Sequence, residues 1–227
     1  MGRAGGGMTV LCVASSKGGP GKTLVCQVLS GTLAAEGIRV VVIDADPNAA
    51  FSRWAARTYE GAKFEAIAQA EETAVLGLVH EKLQTADLVL IDTGGFGNRT
   101  AASALAISDA VVVPSQAGEA DVTEAEKTVK LAQNMAKLTG RPAHARVLFN
   151  RMKKTKLAQH AASEINAAGL PRLDAQLSDL VAYGGVTYAG QVPLPGTAGT
   201  EVAALIAELR SLGMLPPAPR AEKANAA

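Results

Sequence analysis

The sequence predicts a doubly wound α/β domain, in which a mostly parallel sheet is flanked by helices on both faces. Two observations carry that expectation. Short, β-branched apolar runs alternate along the chain with longer amphipathic ones, as in strands buried on both faces and joined by right-handed helical crossovers. The first of these runs passes directly into "SSKGGPGKT" (15–23), a glycine-rich turn placed between a strand and a helix, the context that gives such a turn its meaning.

Taken in order, the strands are expected at "MTVLCVA" (8–14), "IRVVVID" (38–44), "ADLVLID" (86–92), "DAVVVPS" (109–115) and "HARVLFN" (144–150). All five are nearly continuous apolar segments of strand length. Helical patterns fill the spaces between them, over 22–36, 49–60, 71–85, 98–107, 119–139, 155–168 and 198–212. Gly37, Gly140, Gly169 and Gly213 each stand just past a helical run, where a left-handed cap favours glycine. Residues 8–215 form one domain on this reading. The segments 1–7 ("MGRAGGG") and 216–227 ("PPAPRAEKANAA") are rich in Gly or in Pro and Ala and are expected to be a flexible start and a disordered tail.

Composition narrows the class. The 227 residues are 48% hydrophobic and 19% charged with few aromatics, as in a soluble globular protein. No apolar run approaches the roughly 20 residues of a membrane span, and the first residues have no apolar core of a signal peptide, so a cytoplasmic protein is expected. Cys12 and Cys26 lie in apolar segments without metal-ligand spacing and read as small buried hydrophobes. The net charge is only +1, but its distribution is uneven: between Glu126 and Glu164 stand nine cations and no acid. A solvated face usually mixes signs, so this stretch suggests a polyanionic partner, the alternative being a basic surface with none.

The glycine turn has the chemistry of a phosphate cradle. Gly18, Gly19 and Gly21 can take backbone angles closed to other residues and turn consecutive N–H groups inward. A helix starting near Lys22 adds its positive end. Lys22 is placed to bridge β- and γ-phosphates and the Thr23 hydroxyl to ligate Mg²⁺. Gly18 through Thr23, with Leu24 in the first helical turn, are the candidate phosphate-binding residues. Ser16 stands where the general G-x-x-x-x-G-K-[ST] pattern has its first glycine, and Pro20 removes one N–H donor. Downstream, "VVVIDADPNAAFSRW" (40–54) ends a strand with Asp44 and Asp46; a spacing of two puts both on one strand face, or Asp46 just beyond its end. "ADLVLIDTGG" (86–95) ends in Asp92, the pattern of a carboxylate that holds Mg²⁺ through water, followed by Gly94 and Gly95.

The extra lysine of the loop, Lys17, completes a K-G-G-x-G-K-[ST] pattern that resembles the deviant Walker A motif of the ParA/MinD family of dimeric P-loop ATPases. The resemblance covers about residues 8–212 and implies ATP and Mg²⁺ as cofactors and an ATP-sandwich homodimer in which Lys17 reaches the partner's phosphates. "DADPN" is similar to the family's first switch, which implies that Asp46 acts near the attacking water, with Asp44 beside it and Gly94 and Gly95 in a second switch. "VLFNRM" (147–152) resembles the strand end whose asparagine contacts adenine, which assigns Asn150 and Arg151 to the base and Pro193 in "VPLPG" (192–196) to the opposite wall. The tail lacks the basic amphipathic helix of the MinD type, so no membrane partner is expected. A small, single-domain ParA similar to plasmid partition ATPases and to the partition-like proteins of T-DNA and conjugative transfer is implied. Such a protein binds nonspecific double-stranded DNA as an ATP dimer, associates with the nucleoid, and is released by a ParB-like or other stimulating protein. Lys153, Lys154 and Lys156 are the candidate DNA contacts. Two rival readings are a metabolic synthetase of the same superclass, similar to dethiobiotin synthetase, and a scaffold that uses ATP only to dimerise.

Overall fold

The computed structural model describes residues 9–95, 99–141, 144–153 and 155–219. Among these residues, seven strands form one parallel sheet: β1 (Thr9–Val13), β2 (Val40–Ala45), β3 (Glu65–Ala68), β4 (Leu88–Thr93), β5 (Ala110–Ser115), β6 (His144–Met152) and β7 (Arg172–Ser178). Their order is β3-β2-β4-β1-β5-β6-β7, and every pairing is parallel. Strands β1, β2, β4 and β5 are buried at every position, which is why their sequences are apolar without alternation.

The helices are α1 (Lys22–Ala35), α2 (Ala50–Arg57), α3 (Glu72–Lys82), α4 (Arg99–Ile107), α5 (Glu119–Thr139), α6 (Lys156–Ala167), α7 (Ala182–Ala189) and α8 (Gly196–Ser211). They divide the apolar interior into two layers. One packs α1, α2, α7 and α8 on a sheet face through Val25, Leu29, Phe51, Trp54, Val186 and Leu205, among others. The other packs α3 to α6 on the opposite face through Val75, Leu105, Val129 and Ile165. The doubly wound expectation is met.

Three elements were not anticipated from the sequence. Strand β3 has four residues, none of them buried, so it carries no apolar run. β7 lies at the other edge, and its burial alternates around Leu173 and Leu177. Its outer N–H groups are covered by side chains of α8: Glu208 accepts from Asp174 and Ala175 at 2.8 and 2.7 Å, and Glu201 from Ser178 at 2.9 Å. This shields an edge that would otherwise be open to another strand. Helix α7 contains Gly184 and Gly185, which disguise it as a loop.

The chain beyond α8 turns back on the domain. Pro216 is buried, and its carbonyl accepts a hydrogen bond from Arg210 Nε at 3.2 Å. Residues 1–8 and 220–227, which contain the expected flexible start and most of the expected tail, lie outside the described residues.

Candidate functional site

The carboxyl ends of β1, β2 and β4 lie side by side, with Val13 paired to Asp92 and Asp92 to Asp44 in register. In an open parallel sheet this edge is where ligands bind. A cleft of about 710 Å³ opens there, lined by Gly18, Gly19, Gly21, Lys22, Thr23 and Leu24 of the glycine loop and first helical turn. Asp46, Gly95 and Arg151 also line it.

The loop is shaped for an anion. Gly19 and Gly21 have φ of 93° and 98°, the left-handed region that glycine enters freely. Gly21 is the N-cap of α1, which has neither a side-chain cap nor an acidic residue in its first turn. The positive helix end and its free N–H groups therefore face the cleft uncompensated by protein. Asn150, fully buried at the end of β6, donates from Nδ2 to the Pro20 carbonyl at 2.7 Å and packs so closely on Gly21 that a Cβ there would overlap its amide. Asn150 Oδ1 accepts from the Arg151 N–H at 2.9 Å, which supports the left-handed backbone of Arg151 (φ 54°). The asparagine assigned to adenine thus fastens the phosphate loop in this conformation.

Charge is concentrated beneath the loop. Lys22 is buried, and its ammonium donates to the Lys17 carbonyl at 3.1 Å. Burial holds its pKa below the usual lysine value, opposed by Asp92 and Asp46. Asp92 is fully buried. Among the described residues neither of its oxygens has a hydrogen-bond partner. Burial pushes its pKa up to about 7; the nearby Thr23 hydroxyl offsets part of that rise, and Asp44 adds to it. A buried carboxylate with so little support beyond the nearby Thr23 hydroxyl is costly, and a cation held there would offset that cost. Magnesium fits that demand: it prefers oxygen donors, retains waters and needs few protein ligands. Among the described residues no cluster of three His, Cys, Asp or Glu competes for a metal.

The two aspartates of "DADP" do different work. Asp44 is buried, and its carboxylate accepts from Ser52 N at 2.8 Å and Asp46 N at 3.3 Å, tying the end of β2 to the first turn of α2. Burial raises its pKa despite these bonds. Asp46 lies just beyond the strand, as one of the two sequence alternatives held, and accepts from Asn48 N at 2.8 Å. Gly94 sits close to Asp46 and Pro47, and Gly95 to Ser16 and Gly18.

Lys17 does not line this cleft. Its ammonium pairs with Asp121 Oδ1 of α5 at 3.1 Å, with the lysine side chain 44% exposed. Pro193, assigned to the base wall, is not among the lining residues either; Thr187 of α7 takes part instead, with Gln27 and Trp54. Gln27 could have been noticed as a polar residue in the otherwise apolar face of α1. Thr187 could not, because its helix was not legible. Trp54 donates from Nε1 to the Val186 carbonyl at 2.6 Å, joining α2 to α7.

The sign-pure basic stretch is not sign-pure in space. Lys127 pairs with Glu124 at 2.6 Å, Lys130 with Glu126 at 2.5 Å, Arg141 with Asp109 at 3.1 Å and Lys153 with Asp179 at 3.3 Å. Acids distant in sequence, or just before the stretch, meet its cations. Lys156 is exposed at the start of α6. Lys154 lies outside the described residues.

Fold, loop and carboxylate edge together define a ParA/MinD-type P-loop ATPase. The family described as VirC1 protein matches residues 8–211, and the chain belongs to that family. It is 30% identical over 200 residues to protein virC1 of Rhizobium rhizogenes, covering 82% of this chain and 84% of that one. It is 28% identical over 181 residues to protein ParA of Rhizobium radiobacter, covering 78% and 81%. Among solved structures, apo McdA of Cyanothece superposes with a TM-score of 0.75 at 16% identity, covering 89% of this chain and 99% of that one. A variant of McdA in an ATP complex gives 0.71 at 16% identity, covering 95% and 100%. Among the described residues no helix is long and apolar enough to cross a membrane.

Proposed function

We propose that this protein is an ATP-driven switch that dimerises around nucleotide, binds nonspecific duplex DNA as the dimer, and segregates or positions DNA or a cargo carried on it. The observation that carries the reading is the division of labour between two lysines of one loop. Lys22 is buried beneath the cleft, whereas Lys17 stands exposed outside the cleft its own loop encloses. A cation in that place is suited to act on a neighbouring subunit's phosphates, neutralising charge as it develops on the transferring group.

Within one subunit, Gly18 to Leu24 would cradle the phosphates through backbone N–H groups and the α1 terminus. Thr23 and Asp92 would hold Mg²⁺, with Asp46 as a possible further ligand. Bound there, the metal ion would neutralise charge on the phosphate oxygens. Asp46, outside the strand and half-buried, would orient the attacking water. Arg151 and Thr187, which also line the cleft, would approach the nucleoside, with Asn150 acting through the loop it fastens. Gly94 and Gly95 would move with the γ-phosphate.

The DNA contact is assigned to Lys153 and Lys156, both exposed near the start of α6, together with Lys154. Pairing two subunits would double the phosphate contacts and raise affinity by avidity, roughly 10²–10⁴-fold where both faces engage. A stimulating protein would end the cycle by accelerating hydrolysis. The test is binding to random-sequence duplex DNA with ATP, ADP or no nucleotide. ATP-dependent binding that falls steeply with salt supports the reading. Binding indifferent to nucleotide contradicts the cycle, and no binding moves the cargo away from DNA.

A further inference from the structure

The loop departs from the general pattern at Ser16, and the structure gives that departure a partner. Asp121, Glu124 and Thr128 recur at spacings of three and four on α5 and so share one helix face; that face meets the first half of the loop. Ser16 N donates to Thr128 Oγ1 at 3.2 Å, and Ser16 Oγ donates to Glu124 Oε2 at 2.5 Å. Thr128 Oγ1 in turn donates to the Glu124 carbonyl at 2.8 Å. Lys17 Nζ reaches Asp121 Oδ1 at 3.1 Å. Just before α5, Gln116 Nε2 donates to the Gly19 carbonyl at 3.1 Å. A glycine at position 16 would make only the backbone contact. The serine and the following lysine are therefore a docking pair, fitted to an acidic helix face of the same subunit.

The two halves of that dock differ in exposure. Thr128 is fully buried, so the Ser16 attachment is a fixed anchor. The Lys17–Asp121 pair lies at the rim, with the lysine side chain 44% and the aspartate 16% exposed; water and a second chain can both reach it.

We propose that Asp121 is a positioning residue that parks Lys17 on its own subunit and sets the threshold for ATP-dependent pairing. This rests on the reading that Lys17 serves the partner's phosphates. A carboxylate beside the ammonium cancels the charge those phosphates require, so pairing must draw Lys17 off Asp121. A rim pair of this kind is weak, up to about fivefold in an equilibrium constant. A symmetric dimer releases two, giving up to about 25-fold. That is small enough for nucleotide to overcome and large enough to disfavour pairing without it.

The experiment is sedimentation equilibrium of the full chain with Mg²⁺ and a non-hydrolysable ATP analogue. It compares wild type, Asp121→Asn, Asp121→Glu and Lys17→Ala, each checked for folding by thermal melting. Asp121→Asn keeps the shape and removes the charge, so its dimer should be about 3- to 25-fold tighter, whereas Asp121→Glu should stay at the wild-type constant. If Lys17→Ala loses the dimer but Asp121→Asn is unchanged or weaker, the parking role fails and the trans-lysine reading stands. Equal tightening by Asp121→Glu also overturns it, since a carboxylate would then not matter. If Lys17→Ala pairs as wild type does, the trans reading fails and the parking role falls with it.

Discussion

Replacing Asp92 by Asn tests whether burial of its carboxylate makes stability depend on pH. The wild-type carboxylate is fully buried with no hydrogen-bond partner among the described residues, and its pKa is raised from 3.8 to about 7, chiefly by burial. The native state therefore binds a proton that the unfolded chain has already lost between those values. Its stabilising contribution is complete below the unfolded pKa and is lost as pH rises through about 7. A shift of roughly three units corresponds to about 4 kcal/mol at the extremes, and about 3 kcal/mol of it falls between about pH 5 and about pH 8. Asn does not titrate, and any fixed cost of burying its amide is the same at every pH. The difference in unfolding free energy between Asp92→Asn and wild type, measured by urea denaturation in EDTA without nucleotide, should thus move by about 3 kcal/mol in the variant's favour across that range. Parallel pH curves for the two proteins would refute the account of Asp92.

Three further perturbations follow from the site. Gly21→Ala places a Cβ on the Asn150 amide at a φ of 98°, so it should lose several kcal/mol of stability and bind ATP weakly, as read by chemical denaturation and calorimetric titration. Asp46→Ala should bind ATP at near wild-type affinity but hydrolyse it at least 100-fold more slowly, as expected for loss of a group acting in the transition state; equal loss of binding and turnover would remove the water-orienting role. Trp54→Phe removes the 2.6 Å donor to the Val186 carbonyl, which still accepts from the Gly190 N–H at 3.2 Å, so it should cost about 0.5–1.5 kcal/mol and weaken nucleotide affinity through the α2–α7 wall.

The central strands and the phosphate loop were legible because burial on both sheet faces leaves its record as unbroken apolar runs, and because three phosphate-facing elements occur in a fixed order. The edges were not. β3 is too short and exposed to leave a pattern, and β7 hides two buried leucines among polar residues whose backbone partners, Glu201 and Glu208, lie on another element. The Gly184–Gly185 pair reads as a turn, yet α7 forms because Tyr183 and Val186 bury against the core. Within the site, Lys17, Lys22, Asp46 and Asp92 could be picked out by residue type and spacing. Asp121 and Glu124 could not, since their meeting with Ser16 and Lys17 spans more than a hundred residues. The same limit hides the counter-ions Asp109 and Asp179 of the basic stretch, which lie outside it.

The most direct test of the central claim mixes two variants that should each be inactive alone, Lys17→Ala and Asp46→Ala, and follows phosphate release from ATP. If Lys17 acts across the dimer, a mixed pair contains one complete site: the Lys17→Ala subunit supplies Asp46 and the Asp46→Ala subunit supplies the lysine. An equal mixture should then recover turnover that neither variant has alone, each mixed dimer carrying one working site and so up to half the activity of a wild-type dimer. If the mixture stays as inactive as its components although the two proteins form mixed dimers, Lys17 acts on its own subunit and the dimer switch proposed here is wrong.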